Sequence, residues 1–176
     1  MLDAAAINSR TAAGCDRLLR ALGVLDIVPA WSTNRLKRLT QRGKRYLTDT
    51  GLTAGALRVD AADLLREGDL LGRMIDTYVT AQVRAEIAAS DLLPSLFHLR
   101  DRDRHEVDLL LDYGRRGLIG VEIKASASPT RADAAQLRWL QQQVPDLRAG
   151  IVLHTGARVY RLHDGIAAVP IAALWN

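Results

Sequence analysis

Residues 106–124 hold two extended runs, Glu106-Val107-Asp108-Leu109-Leu110-Leu111 and Leu118-Ile119-Gly120-Val121-Glu122-Ile123-Lys124, separated by Gly114-Arg115-Arg116-Gly117. So short a glycine-bounded connection leaves no room for a crossover, so the two runs are expected as antiparallel neighbours in one sheet. Leu96-Phe97-His98-Leu99-Arg100 precedes them across the charged turn Asp101-Arg102-Asp103-Arg104 and extends the meander. Past Lys124 the period changes. Thr130 with Asp133 three residues on marks a helix start, Leu137, Leu140 and Val144 form an apolar stripe, and Pro145 ends it. A helical crossover then returns Gly150-Ile151-Val152-Leu153-His154 to the same sheet. Ala157 to Leu162 and Ala167 to Val169 read as late strands before a terminal turn through Trp175. The expectation is an α/β fold, a mixed sheet flanked by helices.

The preceding half is more helical. Ala12 to Leu22 places Leu18, Leu19 and Leu22 on an apolar stripe stopped by Gly23. Leu25 to Val28 and Arg45 to Thr48 are short extended pieces, and Asp49-Thr50-Gly51 is a turn signal. From Ala61 to Ala89, Leu70, Leu71, Met74, Ile75, Tyr78, Val79, Val83 and Ile87 recur at helical spacing. Gly68-Asp69 divides that segment, with Asp69 as the expected cap of the main helix. The chain therefore reads as a small, mainly helical extension over 1–60 and an α/β domain over 61–176.

With 176 residues, 48% of them apolar and 25% charged, the chain has material for one respectable core. No apolar run approaches the roughly 18 residues of a membrane span. Met1 to Ala6 lacks the basic region of a secretory signal, and the single Cys15 favours a reducing compartment. A cytoplasmic protein with no membrane partner is expected.

Only three of the 24 basic residues are lysines, and one of them closes the run Glu122-Ile123-Lys124. Strand alternation puts Glu122 and Lys124 on one face and turns Val121 and Ile123 to the core. Asp108 on the neighbouring run, sharing a face with Glu106 and Leu110, would converge with Glu122 on one cation. Mg2+ or Mn2+ suits such hard oxygens, with the backbone carbonyl of Ile123 as a further ligand. Asp76, at the border of the helical stripe, is a supporting acid. Lys124 would stabilise developing charge on a phosphodiester attacked by metal-bound water. The competing reading is an exposed, salt-bridged sheet face.

A second signal is basic. Arg35, Lys37, Arg38, Arg42, Lys44 and Arg45 fall between Trp31 and Arg45 with no acid among them. Such a cluster suits phosphate contacts or an acidic protein partner, and a solvated face is the plain alternative. Arg100 is a further phosphate candidate or one half of a structural ion pair. Gln136, early in the helix after Lys124, reads as a surface residue. The four histidines show no zinc-ligand spacing.

The order of elements, a helix with Asp76, a strand, a strand with Asp108, a strand with Glu122-Ile123-Lys124, a helix and a strand, resembles the PD-(D/E)xK nuclease superfamily core, a restriction-endonuclease-like fold. A closer resemblance is to the DUF4143 family. Lys44-Arg45-Tyr46-Leu47-Thr48-Asp49-Thr50-Gly51-Leu52 is similar to that family's P-K-x-Y-x-x-D-x-G-L segment. Leu71 to Val79, His98 to Arg100, Glu106 to Asp108, Val121 to Ala125 and Pro170 to Trp175 also match it. The resemblance implies a nuclease-like domain that commonly follows an AAA-type ATPase domain, with 1–60 an abbreviated winged-helix-like or helical extension. The chain departs from the family at two positions: Asp76 where the resemblance implies Glu, and Gly43 where it implies proline. It carries no G-x-x-x-x-G-K-[ST] loop, so no ATPase activity is expected of it. The function expected is Mg-dependent phosphodiester hydrolysis acting on DNA. The alternative is a non-catalytic nucleic-acid-binding or protein-docking module, with a separate ATPase or another protein as possible partner.

Overall fold

The computed structural model describes residues 8–33, 42–101 and 104–175. Helix α1 (Ser9–Ala21) leads into strand β1 (Leu25–Val28), which pairs antiparallel with β2 (Lys44–Leu47) from Leu25 opposite Leu47 to Val28 opposite Lys44. Two short helices follow, α2 (Thr50–Leu57) and α3 (Ala61–Arg66), and then the long helix α4 (Gly68–Ala89). The turn expected at Asp49-Thr50-Gly51 is the start of α2, because the Asp49 side chain accepts from the Leu52 N–H and caps it. The break near Gly68 is real. Glu67 occupies the capping position of α4 and Asp69 lies in its first turn, where a carboxylate favours the helix dipole without capping it.

The main sheet comprises β3 (Ser95–Arg100), β4 (Glu106–Asp112), β5 (Leu118–Lys124), β6 (Leu147–His154), β7 (Tyr160–His163) and β8 (Ile166–Pro170), in the order β3-β4-β5-β6-β8-β7. The β3-β4-β5 meander is antiparallel, as its short connections demand. Helix α5 (Ala135–Gln143), preceded by a 3-10 turn with the Thr130–Asp133 capping box, crosses over and makes β6 parallel to β5. The last hairpin folds back so that β8 lies beside β6 and β7 takes the edge. This is an α/β architecture with a mixed six-stranded sheet flanked by helices, the N-terminal helix preceding the sheet.

Both faces of the sheet are covered. On one, Leu137 and Leu140 of α5 are fully buried against Val107, Leu110, Val152 and Ile166. On the other, Val79 and Val83 of α4 pack with Val28 and Tyr46 of the hairpin against Leu109, Val121, Ile123 and Leu153. Each such fully buried aliphatic side chain contributes about 1.5–3 kcal/mol. Ties between the hairpin and this body include the Trp31 N–H donating to the His98 carbonyl and the His98 N–H to the Pro29 carbonyl at the β3 edge, and Arg84 of α4 pairing with Asp26.

The expected stripe on α1 is not buried. Leu18 and Leu22 are 60% and 66% exposed, so their spacing made a helix without supplying a core face. Among the described residues no helix is long and apolar enough to cross a membrane.

Candidate functional site

The alternation of β4 breaks at Asp108. Leu110 stands opposite Phe97 but Val107 stands opposite Leu99, so Asp108 and Leu109 together face one residue of β3. This β-bulge moves Asp108 off the face it would otherwise share with Leu110. Ladder pairing between β4 and β5 extends no further than Leu109 opposite Val121. Beyond that point the Ile123 N–H donates to the Asp108 side chain, Oδ2, at 3.0 Å. A carboxylate thus takes the place of a backbone carbonyl where the two strands diverge.

The divergence opens a cleft of about 430 Å³ lined by Asp69, Arg73, Asp76, Glu106, Asp108, Glu122, Ile123, Lys124 and Gln136. Helix α4 supplies Asp76 from one side of the sheet. Alternation on β5 turns Glu122 and Lys124 toward α5, which supplies Gln136. Asp76, Asp108, Glu122, Ile123 and Lys124, expected from the sequence to gather at one site, line this one cleft.

Lys44 sits against these acids. Its Nζ lies 2.9 Å from Asp76 Oδ2, 3.3 Å from Asp108 Oδ1 and 3.9 Å from Glu106 Oε1. Tyr46, two residues along the same strand face, donates its hydroxyl to Asp76 Oδ1 at 3.3 Å. Each oxygen of Asp76 and of Asp108 is consequently engaged from within the chain. Burial works against the charge on Lys44, but Asp108 and Asp76 outweigh it and hold its pKa above the ordinary lysine value. Burial likewise pushes the Tyr46 hydroxyl up to about 12, which keeps its proton in place for Asp76. Asp76 is raised by burial and by neighbouring Asp108, against the opposing pull of Lys44.

Glu122 is only 4% exposed, and its Oε2 pairs with Lys124 Nζ at 3.2 Å. Burial and the Asp108 charge raise its pKa to about 8 despite that lysine. Its Oε1 is buried with no hydrogen-bond partner, and so is Oε1 of Gln136. Two acceptor oxygens without donors at one cleft are costly unless a ligand satisfies them. Gln136 is therefore more than a surface residue. Its exposed-looking helical position concealed this, because only the folding of α5 over the sheet brings it to the cleft that Lys124 also lines.

By donor type these oxygens fit a hard divalent cation. Among the described residues, however, no three His, Cys, Asp or Glu side chains form a group arranged to hold one. The acids are spread along the cleft and held by Lys44 and Lys124.

Of the basic candidates, Arg35, Lys37 and Arg38 lie outside the described residues. Lys44 is turned onto the acids, and Arg45, on the opposite face of β2, pairs with Asp16 of α1 at 2.6 Å. Arg42 is exposed, and its carbonyl lies 3.4 Å from His98 Nε2. Arg100 is exposed and stands opposite Glu106, 3.9 Å from its carboxylate.

Residues 71–174 match the family model described as "Domain of unknown function (DUF4143)". The chain belongs to the DUF4143 family. Residues 1–63 match a second model, "Domain of unknown function (DUF8612)". The DUF4143 match spans α4 through the last 3-10 turn and contains Asp76, Asp108, Glu122 and Lys124, whereas Lys44 and Tyr46 come from the preceding segment. Two curated relatives, uncharacterized proteins of Mycobacterium bovis and Mycobacterium tuberculosis, are each 28% identical over 155 residues. That alignment covers 88% of this chain and 33% of each relative, so the chain spans about a third of their length. No solved structure matches it significantly.

Proposed function

We propose that this chain is a non-catalytic nucleic-acid-binding module on a nuclease-like α/β frame. The observation that carries the reading is that both cleft lysines are held by its acids, which offsets part of the acidic charge: Lys44 is bound to Asp76, Asp108 and Glu106, and Lys124 to Glu122. An acidic cleft without those lysines would repel a phosphodiester backbone. With them, the exposed guanidinium groups of Arg73 and Arg100 at the rim can contact phosphate without a metal. Arg42 and the rest of the basic segment extend the same charge along the chain.

The test is binding of labelled single-stranded and duplex DNA and RNA by the full chain in EDTA across a salt series. Affinity should fall steeply with salt, and each of Arg73→Ala and Arg100→Ala should flatten the logarithmic slope by about 1. No binding to any of these polymers even at low salt would overturn the reading.

Glu122 Oε1, buried and without a donor beside Lys124, favours a second reading, metal-dependent phosphodiester hydrolysis of the PD-(D/E)xK type. Asp108, Glu122 and the Ile123 carbonyl would hold Mg2+ or Mn2+, with Asp76 in support. The cation would supply an activated water and neutralise phosphoryl charge. Lys124 would hold its proton beside the reacting phosphate, and Glu122 would fix its ammonium. Cleavage of a broad substrate panel with Mg2+ or Mn2+, lost in EDTA and in Asp108→Ala, would establish this reading. Lys124→Met should then remove cleavage while the protein stays folded.

A further inference from the structure

We propose that the outer face of α5 is a second binding site, specific for single-stranded nucleic acid. An unpaired base stacks on Trp139, and the flanking phosphates meet Arg131 and Arg138. The ligand class rests on the nucleic-acid reading above, but the surface is separate from the acidic cleft.

Spacing places these residues together. Ala135, Arg138, Trp139 and Gln142 recur at three and four residues on α5 and share one helix face. Leu137 and Leu140 take the buried face. Arg131 lies in the 3-10 turn that leads into α5, and its carbonyl is 3.4 Å from Nε2 of His163 at the end of β7. An open groove of about 570 Å³ results, whose lining includes Arg131, Ala135, Arg138, Trp139, Gln142 and His163. Among the described residues no carboxylate lines it.

The cations of this groove are uncommitted. Several exposed arginines elsewhere have acids nearby: Arg66 pairs with Asp63, Arg73 with Asp69 and Arg148 with Asp146. Among the described residues, neither Arg131 nor Arg138 has a carboxylate at ion-pair distance. The acids adjacent in sequence are engaged elsewhere. Asp133 accepts from the N–H and the hydroxyl of Thr130, and Asp164 lies 4.0 Å from Arg161. Two unpaired guanidinium groups on one face suit phosphate oxygens.

The aromatic ring beside them is held in place. His105 stacks on Trp139 with centroids 3.8 Å apart and planes 4° from parallel. Asp101 fixes His105 in turn, accepting from its backbone N–H at 2.9 Å and lying 3.0 Å from Nδ1. Trp139 packs against the core that contains Leu137 and Leu140, yet it is only half-buried and lines the groove. A side chain already fixed loses little freedom when a base settles on it. Stacking tolerates any base but needs its face free, which a duplex does not offer.

The experiment titrates the full chain in EDTA with three probes: a labelled oligothymidylate, the same strand annealed to its complement, and polyphosphate, which has charge but no bases. The single strand should bind more tightly than the duplex. Trp139→Leu keeps an apolar side chain against the core. It should weaken single-strand binding by at least about fivefold and leave polyphosphate binding unchanged. Arg131→Ala/Arg138→Ala should weaken both and flatten the logarithmic salt slope of the single strand. Should Trp139→Leu fail to fold, tryptophan fluorescence of Trp175→Phe supplies the readout. There Trp31 is buried, so quenching by the single strand reports on Trp139. Equal affinity for strand and duplex, binding without quenching, or an equal loss for polyphosphate in Trp139→Leu overturns the proposal. So does a folded Trp139→Leu that binds the strand as the wild type does. Loss in Arg73→Ala and Arg100→Ala with wild-type binding in the α5 variants overturns the platform alone. The reverse pattern overturns the cleft reading alone, and no binding of any strand overturns both.

Discussion

The Ile123 backbone N–H donates to Asp108 Oδ2 across 3.0 Å where β4 and β5 part. The same carboxylate that receives Lys44 therefore also closes the strand edge. Asp108→Ala removes this acceptor and one counter-charge of Lys44, and a cost of about 1–3 kcal/mol is expected for the buried groups left unpaired. Asp108→Asn keeps an oxygen for Ile123 and should lose less. Urea midpoints of the two variants check this, and equal midpoints would show that the Ile123 bond contributes nothing.

Glu122 makes stability depend on pH. Burial and Asp108 raise its folded-state pKa to about 8 from an ordinary value of 4.5. Between those two values the folded protein holds the proton more tightly than the unfolded chain does. Its contribution is thus greatest below the ordinary value and is lost as pH rises through the folded pKa. Glu122→Gln removes the titration, so its melting temperature should fall less than that of the wild type from mildly acidic to mildly alkaline pH. Parallel curves for the two proteins would refute the assignment.

Gly120 lies under α5. A Cβ there would come within 2.7 Å of Leu137 Cδ2, a fully buried side chain. Gly120→Ala should destabilise by about 1–3 kcal/mol through overpacking. Thermal unfolding measures it, and a variant as stable as the wild type would mean that α5 yields freely.

The α1 stripe predicts the reverse. Leu22 is 66% exposed, so Leu22→Gln should change stability by less than about 0.5 kcal/mol. Leu137→Ala, with the same loss of an aliphatic group at a fully buried position, should cost about 2–5 kcal/mol. Denaturant unfolding of the pair would expose an error if the two costs were similar.

Much of the α/β body was legible because its signals are local. The connection at Gly114 to Gly117 permits only an antiparallel pair, and Thr130 with Asp133 makes a cap wherever it occurs. Glu122 and Lys124 were legible as a pair for the same reason, since two residues apart on a strand means one face. Asp108 was legible as a neighbour of Glu122, but its facing was not. Strict alternation put it with Leu110, and the bulge opposite His98 is a product of strand pairing that no single run of residues displays. Gln136 was hidden because its relation to Glu122 passes through a crossover and exists only in space. Leu18 and Leu22 misled in the opposite direction, since spacing reports a helix face but not what covers it.

The sequence by itself determined the mixed sheet, its helical crossover and the cluster of acids and lysine at the ends of β4 and β5, because period, turn chemistry and capping act over a few residues. Tertiary structure decided the state of that cluster. Lys44 lies 64 residues from Asp108 and reads in the chain as part of a basic stretch. Only the packing of the hairpin against α4 turns it inward, where the attraction of Asp76 and Asp108 outweighs its loss of solvent and makes it their resident cation.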